Sequence, residues 1–150
     1  MKEEFSIRKY LSEDRFGIIS LFRLNTPEYF AVEEEKDLLY YLENHSDDYF
    51  VMVTNKEIIG CGGINYSEDK KMGTLSWDLF HPAYQKKGCG TKLTNFRIEK
   101  IRTSKEIKII SVRTSQQAFQ FYEKCGFQLK EIIIDYWAKG FDLYRMEFEI

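Results

Sequence analysis

Only two prolines and three cysteines occur in this chain of 150 residues, and each scarcity narrows the reading. With so little proline and 16% aromatic residues, no stretch has the composition of a disordered tail or an interdomain linker. Cys61, Cys89 and Cys125 are odd in number and widely spaced, fitting neither a disulfide framework nor a zinc ribbon. A reduced, cytoplasmic protein without a metal is the expectation. No apolar run approaches the ~20 residues that span a bilayer, and the opening Met1-Lys2-Glu3-Glu4-Phe5 lacks a signal-peptide core. No membrane partner is expected. Net charge is almost absent too, at −2. With an acidic balance and no aromatics between the lysines of 91–108, nucleic-acid binding ranks low.

What is present is a 43% hydrophobic chain, enough for a substantial core and one domain spanning 1–150. Charge is unevenly distributed. Residues 26–50 carry Glu28, Glu33, Glu34, Glu35, Asp37, Glu43, Asp47 and Asp48 against Lys36 alone. Residues 86–108 reverse this, with Lys86, Lys87, Lys92, Arg97, Lys100, Arg102, Lys105 and Lys108 against Glu99 and Glu106. Such runs are either two solvated helix faces, or a basic pole for a polyanion and an acidic pole for a cationic partner.

Periodicity sets the element order. Phe5–Tyr10 reads as a strand, and Ser12 starts a helix carrying Ile18, Ile19 and Phe22, broken at Thr26-Pro27. A second helix, Glu34 to Asn44, turns Leu38, Leu39 and Leu42 inward. Tyr49–Val53 and Glu57–Ile64 form a hairpin about Thr54-Asn55-Lys56. Gly60, Gly62 and Gly63 imply a bulge or the close approach of another backbone. Gly73–Phe80 alternates, with Leu75, Trp77 and Leu79 on one face. A helix over Thr91–Arg102, a buried strand Ile107–Val112, and a stripe of Ala118, Phe121, Tyr122 and Cys125 ending at Gly126 follow. Strands Phe127–Trp137 and Phe141–Ile150 close the chain and offer an edge for pairing across a homodimer. The whole is a mixed sheet with helices packed on it.

The segment Phe80-His-Pro-Ala-Tyr-Gln-Lys-Lys-Gly-Cys-Gly-Thr91 joins a strand to a helix through two glycines and two lysines. Helix-start amides lack partners within the helix and favour negative charge, and glycine lets a phosphate approach closely. A Rossmann fingerprint is excluded because Leu93 stands where the third glycine belongs, and Gly90-Thr91-Lys92 is in the wrong order for a P-loop. An ordinary glycine turn remains the plain alternative.

Gln85-Lys-Lys-Gly88-Cys-Gly90, after a strand, resembles the coenzyme-binding motif of the GNAT superfamily of N-acetyltransferases. Ala118-Phe-Gln-Phe-Tyr122-Glu-Lys-Cys-Gly126-Phe127 resembles that family's later tyrosine-bearing helix. The resemblance covers nearly the whole chain and implies an α+β fold. Its sheet would be mixed and mostly antiparallel, with six to seven strands and about four helices, splayed at the strand before the phosphate loop. It implies acetyl-CoA as co-substrate, its diphosphate held by Gln85, Lys86, Lys87, Gly88, Cys89, Gly90 and Thr91. The pantetheine arm would lie along the backbone of Asp78, Leu79 and Phe80. Tyr122 would protonate the departing thiolate, as a phenol with the ordinary pKa of ~10. Ser115 stands where many relatives have a pantetheine-binding asparagine. Thr74 stands where some have a glutamate base, leaving Asp78 or Glu33-Glu34-Glu35, through water, as substitutes. The implied activity is acetyl transfer to a primary amine of a small molecule or peptide. The acidic 26–50 segment hints at a polyamine, an aminoglycoside or a peptide N-terminus. The rival reading is a CoA-binding module without catalysis.

Overall fold

The computed structural model describes residues 4–85 and 87–150. Its strands are β1 (Ser6–Lys9), β2 (Tyr49–Thr54), β3 (Glu57–Tyr66), β4 (Met72–Phe80), β5 (Ile109–Thr114), β6 (Gln128–Ala138) and β7 (Phe141–Glu149). The helices are α1 (Arg15–Leu24), α2 (Glu35–Asn44), α3 (Cys89–Arg102) and α4 (Phe119–Lys124). One sheet runs in the order β1-β2-β3-β4-β5-β7-β6, and β4–β5 is the parallel pair in it. The remaining ladders are antiparallel. The expected mixed sheet is present, with seven strands and four helices among the described residues.

Each face of the sheet buries its own core. Phe50 and Met52 of β2 point toward α3 and α4, joining Leu93, Ile101, Ile110 and Tyr122. The alternate residues Tyr49 and Val51 point toward α1 and α2, joining Ile18, Phe22, Leu38 and Tyr41. Each fully buried aliphatic chain contributes about 1.5–3 kcal/mol of hydrophobic stabilisation. On α2 the inward stripe is Leu38, Tyr41 and Leu42, and Leu39 faces outward. Helical structure begins at Ser12, as a 3-10 turn over Ser12–Asp14 that runs into α1, with the Asp14 carboxylate accepting the Leu11 N–H (2.8 Å).

Two backbone irregularities stand out, and the second, at Trp77, borders the cavity. The β2–β3 hairpin turns through Asn55 and Lys56, both at positive φ (48° and 63°), as the tightest hairpins require. In β4 a bulge at Trp77 (φ 50°) accompanies a register shift opposite Cys61 and Gly63. The bulge breaks the expected alternation. Leu75 enters the α3–α4 core, whereas Trp77 and Leu79 enter the α1–α2 core. The β4–β5 ladder covers Met72–Leu75 against Ile109–Val112 and then stops, so the sheet splays where expected.

The β3 glycines sit at register shifts, as expected, and are crowded mainly by side chains, with the Asp48 carbonyl also 3.0 Å from a Cβ built on Gly63. A Cβ on Gly62 would lie 2.7 Å from both the Arg97 guanidinium and the Asp78 carboxylate. One on Gly63 would lie 2.6 Å from the Tyr41 hydroxyl and the Tyr49 ring.

Candidate active site

The splay opens a cavity of about 690 Å³ that reaches both faces of the sheet. From the α3–α4 face it is lined by Phe80, Tyr84, Cys89, Phe121 and Tyr122; from the α1–α2 face by Phe30, Tyr41 and Trp77. A parallel pair that stops after four residues leaves the β5-facing edge of β4 unladdered beside this space.

At one end lies the start of α3. Gly88 sits at φ +80° with open space where a Cβ would be, and its carbonyl accepts the Lys92 N–H (2.9 Å). The Gly90 and Thr91 amides therefore precede the first i→i−4 bond, at the positive end of a fourteen-residue helix. A Cβ on Gly90 would press on Phe121 at 3.1 Å, so glycine keeps this wall thin. Gln85, Gly88, Cys89, Gly90 and Thr91 all line the cavity. Lys87 is exposed with its ammonium 5.1 Å over the Tyr84 ring, outside the lining. Lys86 lies outside the described residues. A diphosphate-sized anion fits this donor set. Two members of the basic run are engaged elsewhere: Lys92 donates to the Phe5 carbonyl (2.9 Å) and Arg102 pairs with Glu99 (3.1 Å).

Of the strand residues expected to carry the coenzyme arm, Asp78 and Phe80 line the cavity, and Leu79 is buried in the α1–α2 core. The Phe80 carbonyl already accepts from Asn25 Nδ2 (3.0 Å). Ser115 lines the cavity with 7% exposure. Cys89 packs its side chain into the core, consistent with a small residue accommodated by the loop. His81 caps the following turn, its Nδ1 accepting the Ala83 N–H (3.1 Å). The Thr74 hydroxyl shares a hydrogen bond with Ser111 (2.8 Å) and supplies no base.

The centre of the site is a buried charge pair. Arg97, fully buried, holds Asp78 bidentately at 2.6 and 2.8 Å and donates further to the Gly63 carbonyl (3.1 Å). Tyr122 donates its hydroxyl to the same carboxylate at 2.5 Å. Burial, reinforced by Asp78, pushes the Tyr122 phenol well above its ordinary value. The unperturbed phenol expected from sequence is therefore not the one found: Tyr122 is firmly protonated and a weaker acid. Asp78 serves as its acceptor and as partner to Arg97. Arg97 escaped the sequence reading, although its spacing from Leu93 and Ile101 puts a guanidinium on an apolar helix stripe.

On the α1–α2 side, Phe30 stacks on Trp77 (5.7 Å between centroids, 20° between planes), with Tyr29, Tyr41 and Ser76 beside them. Of the acidic 26–50 residues, Glu34 reaches the cavity; Glu33 is exposed and Glu35 pairs outside with Arg23 (2.8 Å). Glu34 Oε2 accepts the Ala31 N–H (2.8 Å), and burial pushes its carboxyl above the usual range. That segment walls the cavity chiefly with aromatic rings.

A sequence model of the acetyltransferase (GNAT) family matches residues 18–127, and the chain belongs to that family. No curated protein matches it. Among solved structures, the loading GNATL domain of CurA from Lyngbya majuscula superposes with TM-score 0.82 at 12% identity, over 97% of this chain and 98% of that one. The N-acetylglutamate synthase of Neisseria gonorrhoeae, complexed with coenzyme A and N-acetyl-glutamate, gives 0.76 at 20%, over 99% of this chain and 36% of that one. An aminoglycoside 6'-N-acetyltransferase complexed with coenzyme A gives 0.77 at 14%, over 96% of each chain. At these identities the likeness is one of fold.

Proposed function

We propose that the protein is an acetyl-CoA-dependent N-acetyltransferase that moves an acetyl group directly to a primary amine. The observation that carries this reading is the continuous cavity joining the α3 amides, Tyr122 and an aromatic wall through the splayed sheet. Family membership and coenzyme A in two structural neighbours support it. No disulfide links Cys61, Cys89 and Cys125 among the described residues, which suits the reduced cytoplasm proposed for it.

Acetyl-CoA would supply an activated acyl thioester. The Gly90 and Thr91 amides, with Gln85 and Gly88 alongside, would hold its diphosphate. The unladdered edge of β4 at Asp78–Phe80, together with Ser115, would hold the amide-bearing arm. Tyr122 keeps a proton at Oη, and turning it from Asp78 into the cavity is a rotation about the Cζ–Oη bond. Its raised pKa is less of a handicap in a site that also desolvates, and so makes more basic, a leaving thiolate. The acceptor enters as free amine, its surplus proton lost to water. Because Tyr122 stays protonated throughout the working range, the rate rises with pH until the acceptor amine is itself deprotonated.

The test combines calorimetry with CoA against thioester consumption across a panel of amines. Tyr122→Phe is expected to lower turnover by about 10²-fold or more while CoA affinity stays within about threefold. Equal loss in both would return Tyr122 to a packing role. CoA uptake without thioester consumption would make the protein a binding module.

A further inference from the structure

Arg113 stands apart from the other paired arginines. Arg8, Arg23, Arg97, Arg102 and Arg145 each hold a carboxylate, whereas Arg15 and Arg113 hold none among the described residues, and Arg15 lies outside this cavity. It lines the cavity. Ile110 and Val112 of β5 point into the α3–α4 core, so alternation sends Ser111 and Arg113 to the opposite face, where Ser111 meets Thr74. That is the face bearing Phe30, Tyr41 and Trp77. The guanidinium is held in place rather than loose: it lies 5.0 Å over Tyr136 and 5.6 Å over Trp137, and donates to the Tyr136 hydroxyl at 2.5 Å. Its cross-strand neighbour Arg145 takes both nearby carboxylates, Glu131 and Glu147. A planar donor fork, exposed to solvent and without a carboxylate partner among the described residues, is thus left at the cavity wall.

We propose that the acceptor is an amino acid or similar small amine bearing a carboxylate, and that Arg113 binds that carboxylate. The assignment rests on the acetyltransferase reading and narrows it. Arg113 disfavours polyamines and aminoglycosides at the same wall by like-charge repulsion.

The experiment uses matched triples, such as phenylalanine, phenylalaninamide and phenethylamine, with parallel sets for methionine and lysine and an alanine-initiated peptide amide. Turnover is followed by CoA release, and binding to the CoA-loaded protein by calorimetry. Acids are expected to exceed their amides by about ten- to a hundredfold in kcat/KM or affinity. Arg113→Gln should erase that margin with the KM for acetyl-CoA unchanged, and Arg113→Lys should restore part of it. Indifference to the carboxylate, preference for the peptide amide, no binding by any acid, or an Arg113→Gln defect confined to acetyl-CoA each overturns the assignment. Failure to bind CoA at all would instead sink the acetyltransferase reading.

Discussion

Two carboxylates in one cavity show how surroundings, not residue type, set the chemistry at the residue scale. Asp78 is held by two guanidinium nitrogens and a phenol, a satisfied buried network whose loss of one member would strand a charge. Glu34 has a single backbone donor and is desolvated without a cation, so its carboxyl sits above the usual range. A carboxyl with a raised folded pKa binds its proton more tightly when folded. Its contribution is favourable below the unfolded pKa and becomes a cost as pH rises through the folded value. Asp14, lowered chiefly by its bond to Arg8, behaves oppositely: its stabilisation is present at neutral pH and lost on acidification. Glu34→Gln keeps an acceptor for the Ala31 amide while removing the charge. It should raise the melting temperature at pH 7, with the gain shrinking toward zero near pH ~4, around the unfolded carboxyl pKa. A melting series from pH 4 to 8 reads this, and a gain independent of pH would mean the charge is not what costs stability.

Elements matter here mainly where they deviate. The Trp77 bulge rotates the end of β4 so that Asp78 meets α3 and α4 while Trp77 faces α1 and α2; one extra residue gives the cavity walls on both faces. Gly62 lies opposite this bulge because Arg97 and Asp78 occupy the space of a Cβ. Gly62→Ala should therefore cost about 1–3 kcal/mol, read as a lower urea midpoint, and it should lower turnover more than Gly140→Ala, which strains a positive-φ hairpin tip (φ +84°) outside the cavity lining. Wild-type stability in Gly62→Ala would mean the ion pair tolerates displacement. Strand and helix placement was legible because alternation and the 3.6-residue stripe are local signals, as at Tyr49–Val53 and Ala118–Cys125. The face of Leu75 relative to Trp77 was not, since a bulge is set by the partner strand. Motif spacing singled out Gly88, Gly90 and Tyr122, and all three line the cavity. Arg97 and Arg113 were missed because a lone arginine shows its role only by what surrounds it.

At the scale of the whole molecule, the sheet is two half-sheets joined by a short parallel seam. The β1–β4 half and the β5–β7–β6 half share four paired positions, Met72–Leu75 with Ile109–Val112, beyond which the cavity intervenes. A ligand lying in the splay would take the place of the missing ladder. It would also bind the folded state alone, adding about 2.7 kcal/mol of apparent stability at one hundred times its Kd. Hydrogen exchange resolves where that stability goes. With saturating CoA, amides of 76–80 and 88–91 should slow most, followed by the 113–115 end of β5. Residues 129–134 of the outer strand β6, where Ile132 and Ile134 remain exposed away from the cavity, should be unchanged. Protection spread evenly over all strands would indicate global stabilisation from a site elsewhere, and protection confined to β6 and β7 would place the coenzyme outside the splay. Slowing at both margins of the seam would show that the gap left by β4 and β5 is a ligand position, bordered by the Trp77 bulge on one side and the start of α3 at its end.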